Sequence, residues 1–347
     1  MLWWYLLKFI ENGFNELFFV YEKYKKRCWA CGHIASIKWG IQADKQRYKC
    51  KNCGIFFTDS NPGVSKSNRF IWFEKWIHDR RTIGQLSKES SYSVRTLKRL
   101  FHTYLQDTPS LSVYPSERVN LIIDGTYFGN NLCLILYRDN TIKFTQLYRL
   151  TDGEWYEEIK EDLDNLLKLG VQIESITCDG HRAILKAINK ACGDVTVQRC
   201  LVHIQRSCMN WLSNKPKTLP GIELRKIISK VHLIESQLDR DYWIVSLVRW
   251  HEKHEAFVKE KSINPLTGRY WYTHKMVRRA FMSIKKALPD MFHYLDNRNI
   301  PKSTNGLESF FGHLKDHLSI HRELSYQHRQ AFIKWYLYFT NKSTKGF

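Results

Sequence analysis

Leu121-Ile122-Ile123-Asp124-Gly125 and Ile176-Thr177-Cys178-Asp179-Gly180 are two short apolar runs that each close on an Asp-Gly pair. Apolar, partly β-branched runs of this length, bounded by turn signals, read as buried strands. The pair that ends each run has two readings. Asp-Gly is a common turn after a strand. It also holds a carboxylate rigidly at a sheet edge, and two such strands with a third acid from a helix can chelate hard divalent cations through oxygen. Glu308, within Ser303-Thr304-Asn305-Gly306-Leu307-Glu308-Ser309, is the third acid in view.

Working outward, residues 119–124, 132–137 and 142–150 alternate or run apolar, joined by Gly129-Asn130-Asn131 and Asp139-Asn140. These are hairpin signals for three antiparallel strands. A helix over 154–169, closed by Gly170, leads to a fourth strand at 173–179. A helix over 181–191 and a short strand at 195–197 follow. The order βββαβαβα is that of the ribonuclease-H-like fold, in which the first and fourth strands are central neighbours. Asp124 and Asp179 end those two strands and are therefore expected to meet. Residues 214–300 are polar, basic and helical in pattern, clearest over 240–254 and 274–288, with no strand alternation. They read as a helical insertion between a first core segment, 119–213, and a last one, 301–347, which carries the Glu308 helix and a C-terminal aromatic helix near 327–339.

The front of the chain is organised differently. Cys28-Trp29-Ala30-Cys31 and Cys50-Lys51-Asn52-Cys53 are C-x2-C pairs with eighteen residues between them. Two such knuckles supply four thiolates for one tetrahedral zinc, and Gly32 and Gly54 follow where the chain must turn around the metal. The segment 26–60 is too short for a hydrophobic core, so zinc would supply its folding energy. Four free surface cysteines are the alternative, and they leave the doubled spacing unexplained. Residues 66–106 read as three helices. In the last two, a short capped helix, a turn at 90–92 and a basic helix capped by Ser93 fit a helix-turn-helix. Arg95, Lys98 and Arg99 would face a DNA major groove, with Leu97, Leu100 and Phe101 inward. A helical hairpin with a solvated basic face is the plainer reading. Residues 107–118, with Pro109 and Pro115, read as a linker, and residues 1–25 as an amphipathic helix.

The chain has 347 residues, a formal charge of +20, 43% hydrophobic and 25% charged residues. That describes several globular domains that meet a polyanion. Lys8, Glu11 and Glu16 interrupt the apolar N-terminus, which argues against a membrane span or a signal peptide. Nine cysteines, an odd count in paired spacing, favour reduced thiols in a cytoplasm.

Four motifs together resemble the DDE transposases of bacterial insertion sequences, in the Mutator-like (MULE-type) group. They are Ile123-Asp124-Gly125-Thr126, Cys178-Asp179-Gly180, Arg199-Cys200-Leu201-Val202-His203 and Thr304-Asn305-Gly306-Leu307-Glu308-Ser309. The resemblance covers about residues 119–340, and the zinc ribbon and helical segment fit the usual DNA-binding front end. In this group a helical domain separates the second Asp from the Glu, as the 128 residues here allow. The resemblance implies binding to terminal inverted repeats and metal-dependent cleavage. It further implies joining of a 3′-hydroxyl end to target DNA. Asp124, Asp179 and Glu308 would hold two Mg²⁺ or Mn²⁺ ions, and Cys28, Cys31, Cys50 and Cys53 one structural Zn²⁺. Asn305 and Lys315 share a helix face with Glu308 and would orient it or touch phosphate, or are simply solvated. Cys200 and His203 are either metal ligands or packing beside the active site, and His181 either approaches the site or starts a helix. The implied setting is a bacterial cytoplasm, nucleoid-associated, with double-stranded DNA as partner, no membrane, and at least a homodimer during synapsis. Competing readings are a non-catalytic DNA-binding derivative and a ribonuclease-H-like structure-specific nuclease.

Overall fold

The computed structural model describes residues 26, 28, 33–34, 36–58, 62–90, 92–115, 118–129 and 131–345, the side chains of 62–68 and 345 excepted. The expected helix over 1–25, as well as Cys31 and Gly32, lies outside the described residues. The chain divides into two compact units, 1–101 and 102–347.

In the first unit, β1 (Ser36–Gln42), β2 (Lys45–Cys50) and β3 (Phe56–Thr58) form an antiparallel meander. Among the described residues, its buried apolar cluster is Cys28, Tyr48, Cys50 and Phe57, with the Tyr48 and Phe57 rings stacked at 5.6 Å. Helices α1 (Pro62–His78), α2 (Ile83–Ser90) and α3 (Val94–Gln106) follow. Thr82 and Gln85 bond reciprocally at the start of α2, and Ser93 Oγ accepts the Thr96 amide at the start of α3. Phe101 packs between Phe73 and Trp76, while Arg95, Lys98 and Arg99 are exposed.

The second unit is built on a mixed five-stranded sheet. Its strands are β4 (Val119–Tyr127), β5 (Cys133–Asp139), β6 (Phe144–Thr151), β7 (Ile173–Cys178) and β8 (Thr196–Arg199), in the order β6-β5-β4-β7-β8. The first three are antiparallel neighbours; β4–β7 and β7–β8 pair in parallel. Period-2 alternation sorts β4 by face. Val119, Leu121 and Ile123 join Ile176 and Cys178 in a core beneath α4 (Tyr156–Lys168) and α5 (Arg182–Ala191). Asn120, Ile122 and Asp124 point to the other face, where α10 (Asn305–Ser319) and α11 (Tyr326–Lys345) pack. On α11, the Asn341 amide bonds both backbone groups of Thr145 on the edge strand β6, which satisfies part of an otherwise open edge.

The chain leaves the sheet through α6 (Leu201–Leu212). The buried side of α6, Leu201, Ile204, Cys208 and Leu212, shares a second core with α7 (Leu219–Ile228), α8 (Gln237–Lys259) and α9 (Lys275–Ala287). Two tryptophans lock that core: Trp243 donates to the Ile227 carbonyl and Trp250 to that of Pro220, each at 2.9 Å. The segment is not all helical as its pattern predicts. Residues 261–272 form a hairpin of β9 (Lys261–Ile263) and β10 (Tyr270–Tyr272), whose strands are too short to register as alternation in sequence.

Candidate active site

The Asp-Gly pairs differ from each other. Asp179 follows the last residue of β7, but β4 runs three residues beyond Asp124, so Gly125 is a strand residue and not a turn. Ile123 pairs with Cys178 in the parallel β4–β7 ladder, which places Asp124 and Asp179 next in register on the same side of the sheet.

The two glycines leave space for other side chains. A Cβ on Gly125 would strike the carboxylate of Glu154, and one on Gly180 would strike the guanidinium of Arg199. Gly180 also sits at φ +87°, a left-handed conformation open to glycine. Glu154 occupies the short connection between β6 and α4. Arg149 of β6 clamps this connection by donating to Asp162 of α4 at 2.8 and 2.6 Å. Glu154 then reaches His181 Nδ1 at 3.4 Å, beside the Asp179-Gly180 pair. Nothing in the sequence marks Glu154: it carries no periodicity and lies 30 residues from Asp124. Its signal is spatial, the missing Cβ at Gly125.

Glu308 arrives on α10, which packs on the face to which Asp124 points. The chain returning from the insertion is fastened where it left: Thr177 Oγ1 donates to the Pro301 carbonyl at 3.0 Å and the Leu201 amide to that of Lys302 at 3.0 Å. Thr304 then donates its amide to Cys200 Sγ at 3.3 Å and starts α10. One turn into that helix, Glu308 accepts two bonds from Arg206, 2.9 and 3.0 Å, and lies 3.3 Å from His203 Nε2. His203 Nδ1 is 3.2 Å from Cys200 Sγ. Cys200 and His203 thus pack beside the acids and link α6 to α10. Arg206, one turn beyond His203, is a second contact that the sequence reading missed. Asn305 is exposed on α10, and Lys315 places its ammonium 5.7 Å from the Phe128 ring just beyond β4.

The electrostatics follow from burial and crowding. Asp124 is 7% exposed. Desolvation, partly countered by His203 and then reinforced by Asp179, pushes its carboxyl up to about 7. Burial and Asp179 also raise Glu154. The Cys200 hydrogen bond lifts His203 to about 9, with Asp124 and Asp179 acting in the same direction. Burial opposes a thiolate at Cys200, yet bonds from His203 and the Thr304 amide hold it below the usual thiol value. Arg206 keeps Glu308 below the usual carboxylate range. Asp124 and Glu154 thus both feel the charge of Asp179, and Glu308 adjoins Asp124 by way of His203, although among the described residues only the ligand atoms of Cys28, Cys50 and Cys53 gather within 4.8 Å of one another. Carboxylate oxygens are the donor type that hard divalent cations take.

In the first unit, the sulfurs of Cys28, Cys50 and Cys53 lie within 4.8 Å of one another, with Cys28 and Cys53 3.6 Å apart. Sulfurs about 3.8 Å apart are what tetrahedral Zn–S bonds of ~2.3 Å require. The two knuckles repeat one backbone bond, from the Cys28 amide to the His33 carbonyl and from the Cys50 amide to that of Ile55. The three described thiols fit zinc.

The family model for transposases of the Mutator family matches residues 148–324, half of the chain. The matched segment includes Asp179, Cys200, His203 and Glu308 and begins after Asp124. No curated protein matches the chain. No helix among the described residues is long and apolar enough to cross a membrane.

Proposed function

Because this chain belongs to the Mutator family of transposases, a family of DNA-cleaving enzymes, we propose that it is a DDE transposase with a ribonuclease-H-like catalytic core. It would bind the terminal inverted repeats of its own insertion sequence and catalyse cleavage and strand transfer at Asp124, Asp179 and Glu308. The observation that carries this reading is the pair of aspartates on neighbouring parallel strands, with Asp124 buried and crowded by acids.

Asp124, Asp179 and Glu308 would hold two Mg²⁺ or Mn²⁺ ions. Such ions, when bound, activate the attacking oxygen and stabilise the leaving oxygen of a phosphodiester. The protein's own part is positioning. The β4–β7 ladder fixes the two aspartates, and the Cys200–His203–Thr304 contacts fix the start of the Glu308 helix. Arg206 and His203 neutralise Glu308 until it takes up a ligand role. Gly125 lets Glu154 approach the aspartates, where it adds negative charge that favours cation binding.

For DNA capture, Cys28, Cys50 and Cys53, with Cys31 as the sequence counterpart of Cys53, would hold one structural zinc. Arg95, Lys98 and Arg99 on α3 would enter the major groove. Asn305 and Lys315 would contact the cleaved end. The exposed basic face of α3 and the chain's charge support this part of the reading. The double-stranded partner is consistent with assembly of at least a dimer on two ends.

The test uses labelled duplex ends from the inverted repeats that flank the coding region, a target plasmid and Mn²⁺. The wild type should nick the ends and join them to plasmid. Asp124→Asn and Glu308→Gln should lose both steps while binding ends normally. Nicking without joining would identify a structure-specific nuclease, and normal joining by both variants would remove the acids from the chemistry.

A further inference from the structure

The hairpin of β9 and β10 presents aromatic rings to solvent instead of to a core. Tyr270 is 61% exposed, Trp271 52%, and Leu266 at the tip 93%. None of the three belongs to the buried clusters of the second unit. The hairpin is nonetheless well built. Asn264 Oδ1 accepts the amides of Leu266 and Thr267, and the Asn264 amide bonds the Arg269 carbonyl at 2.9 Å. Ser262 and Thr273 hydroxyls bond at 2.7 Å, and the Phe257 and His274 rings stack at its base, 3.4 Å apart.

Cations lie over the tyrosine rings. Lys261 Nζ lies 4.2 Å from the Tyr270 centroid and 5.8 Å from that of Tyr272, and the Arg278 guanidinium lies 3.7 Å over Tyr272. Register puts Ile263, Tyr270, Lys261 and Tyr272 on one face and Trp271 on the other. Between residues 259 and 279 there are six cations, Lys259, Lys261, Arg269, Lys275, Arg278 and Arg279, against the single acid Glu260.

We propose that this hairpin is a binding site for unpaired DNA, with Tyr270 and Trp271 as stacking platforms for bases and the surrounding cations as phosphate contacts. Flat rings interleaved with cations match what single-stranded nucleic acid needs: every base offers a π-face, and every linkage a charge. A paired duplex hides its base faces, so stacking on these rings requires unpaired bases. The proposal rests on membership of a DNA-cleaving family and not on the roles given to Asp124, Asp179 and Glu308.

The test measures binding of the full chain, without divalent cations so that no cleavage intervenes. The probes are a labelled oligonucleotide of about 16 nucleotides, matched to stacking-type site sizes, and the duplex of the same sequence. Trp271→Ala and Tyr270→Ala should each weaken single-strand binding by about tenfold. Duplex binding should change by less than twofold, and Trp271→Phe should keep most of the affinity. Unchanged single-strand binding in both alanine variants would overturn the proposal. So would an equal loss on duplex, which would make the hairpin a general phosphate surface. Either result would leave the catalytic reading standing, because the Asp124→Asn joining assay is read separately.

Discussion

Replacing Asp124 by Asn should stabilise the protein, increasingly so as the pH rises. In the fold, burial and the neighbouring acids hold this carboxyl up at about 7, against the usual ~3.9 of an aspartate in the unfolded chain. A raised value means that the folded form favours the proton. The contribution is fully present below the unfolded value and is lost as the pH rises through the folded one. Between those limits stability falls by about 1.4 kcal/mol per pH unit. The cost of the wild-type charge is then about 1.5 kcal/mol at pH 5 and about 4 kcal/mol at pH 8. Asn has nearly the same shape and no charge to desolvate. Urea denaturation of both proteins at pH 5 and pH 8, without divalent cations, reads the difference directly. The variant's advantage should grow by roughly 2.5 kcal/mol between the two. At the scale of the second unit, a 4 kcal/mol gain corresponds to about 8–16 °C in melting temperature. Mg²⁺ should narrow the gap by stabilising the wild type alone. An advantage that is equal at both pH values, or a variant less stable at pH 8, would refute the picture of a buried, crowded carboxylate.

Four further substitutions have defined expected outcomes. Gly193→Ala, at φ +52° with open space around it, should cost about 1 kcal/mol in urea denaturation. Gly180→Ala should cost about 1 kcal/mol more, because its Cβ displaces Arg199 from the Asp179 carbonyl; equal losses would show that Arg199 has no structural part there. Arg206→Ala should leave stability within about 1 kcal/mol, since its ion pair is half-exposed. It should nevertheless let the Glu308 carboxyl rise, so that the acid limb of the metal-dependent cleavage profile moves to higher pH, and an unmoved limb would contradict that link. Cys50→Ser should reduce bound zinc from one ion per chain to none by metal analysis, with loss of affinity for inverted-repeat duplex; retained zinc would remove Cys50 from the ligand set.

The central strands were readable from the short apolar runs before Asp124 and Asp179, and polar residues that these strands bury are paired, as Ser175 is by donating to Asn120 at 2.7 Å. Their adjacency followed from element order, and the sheet order bears it out. What stayed hidden has no local signature. Asp124 is not at a strand end because Gly125 continues β4, and the reason Gly125 has no side chain is Glu154, a residue in a connection. Arg206 looked like any basic helix residue until Glu308 arrived from 102 positions away. The β9–β10 hairpin escaped because three-residue strands flanked by charges carry too few positions for a period to emerge.

The long separation of Asp179 from Glu308 costs the site little. Loop-closure entropy grows only with the logarithm of length, and here the closure is made by specific bonds: Thr177 to Pro301, Leu201 to Lys302, Thr304 to Cys200. The helices in between bury their apolar faces against α6 and against each other, in a core of their own. The two ends of the insertion are therefore fixed at the sheet whatever lies within it. The position of α10 is set by Cys200, His203 and residues 301–304 together with its buried Leu307, Phe310, Phe311 and Leu314, none of which belongs to the insertion's own core. The Cys200-x-x-His203 pair thus touches both Thr304 and Glu308, which ties the start of α6 to the start of α10.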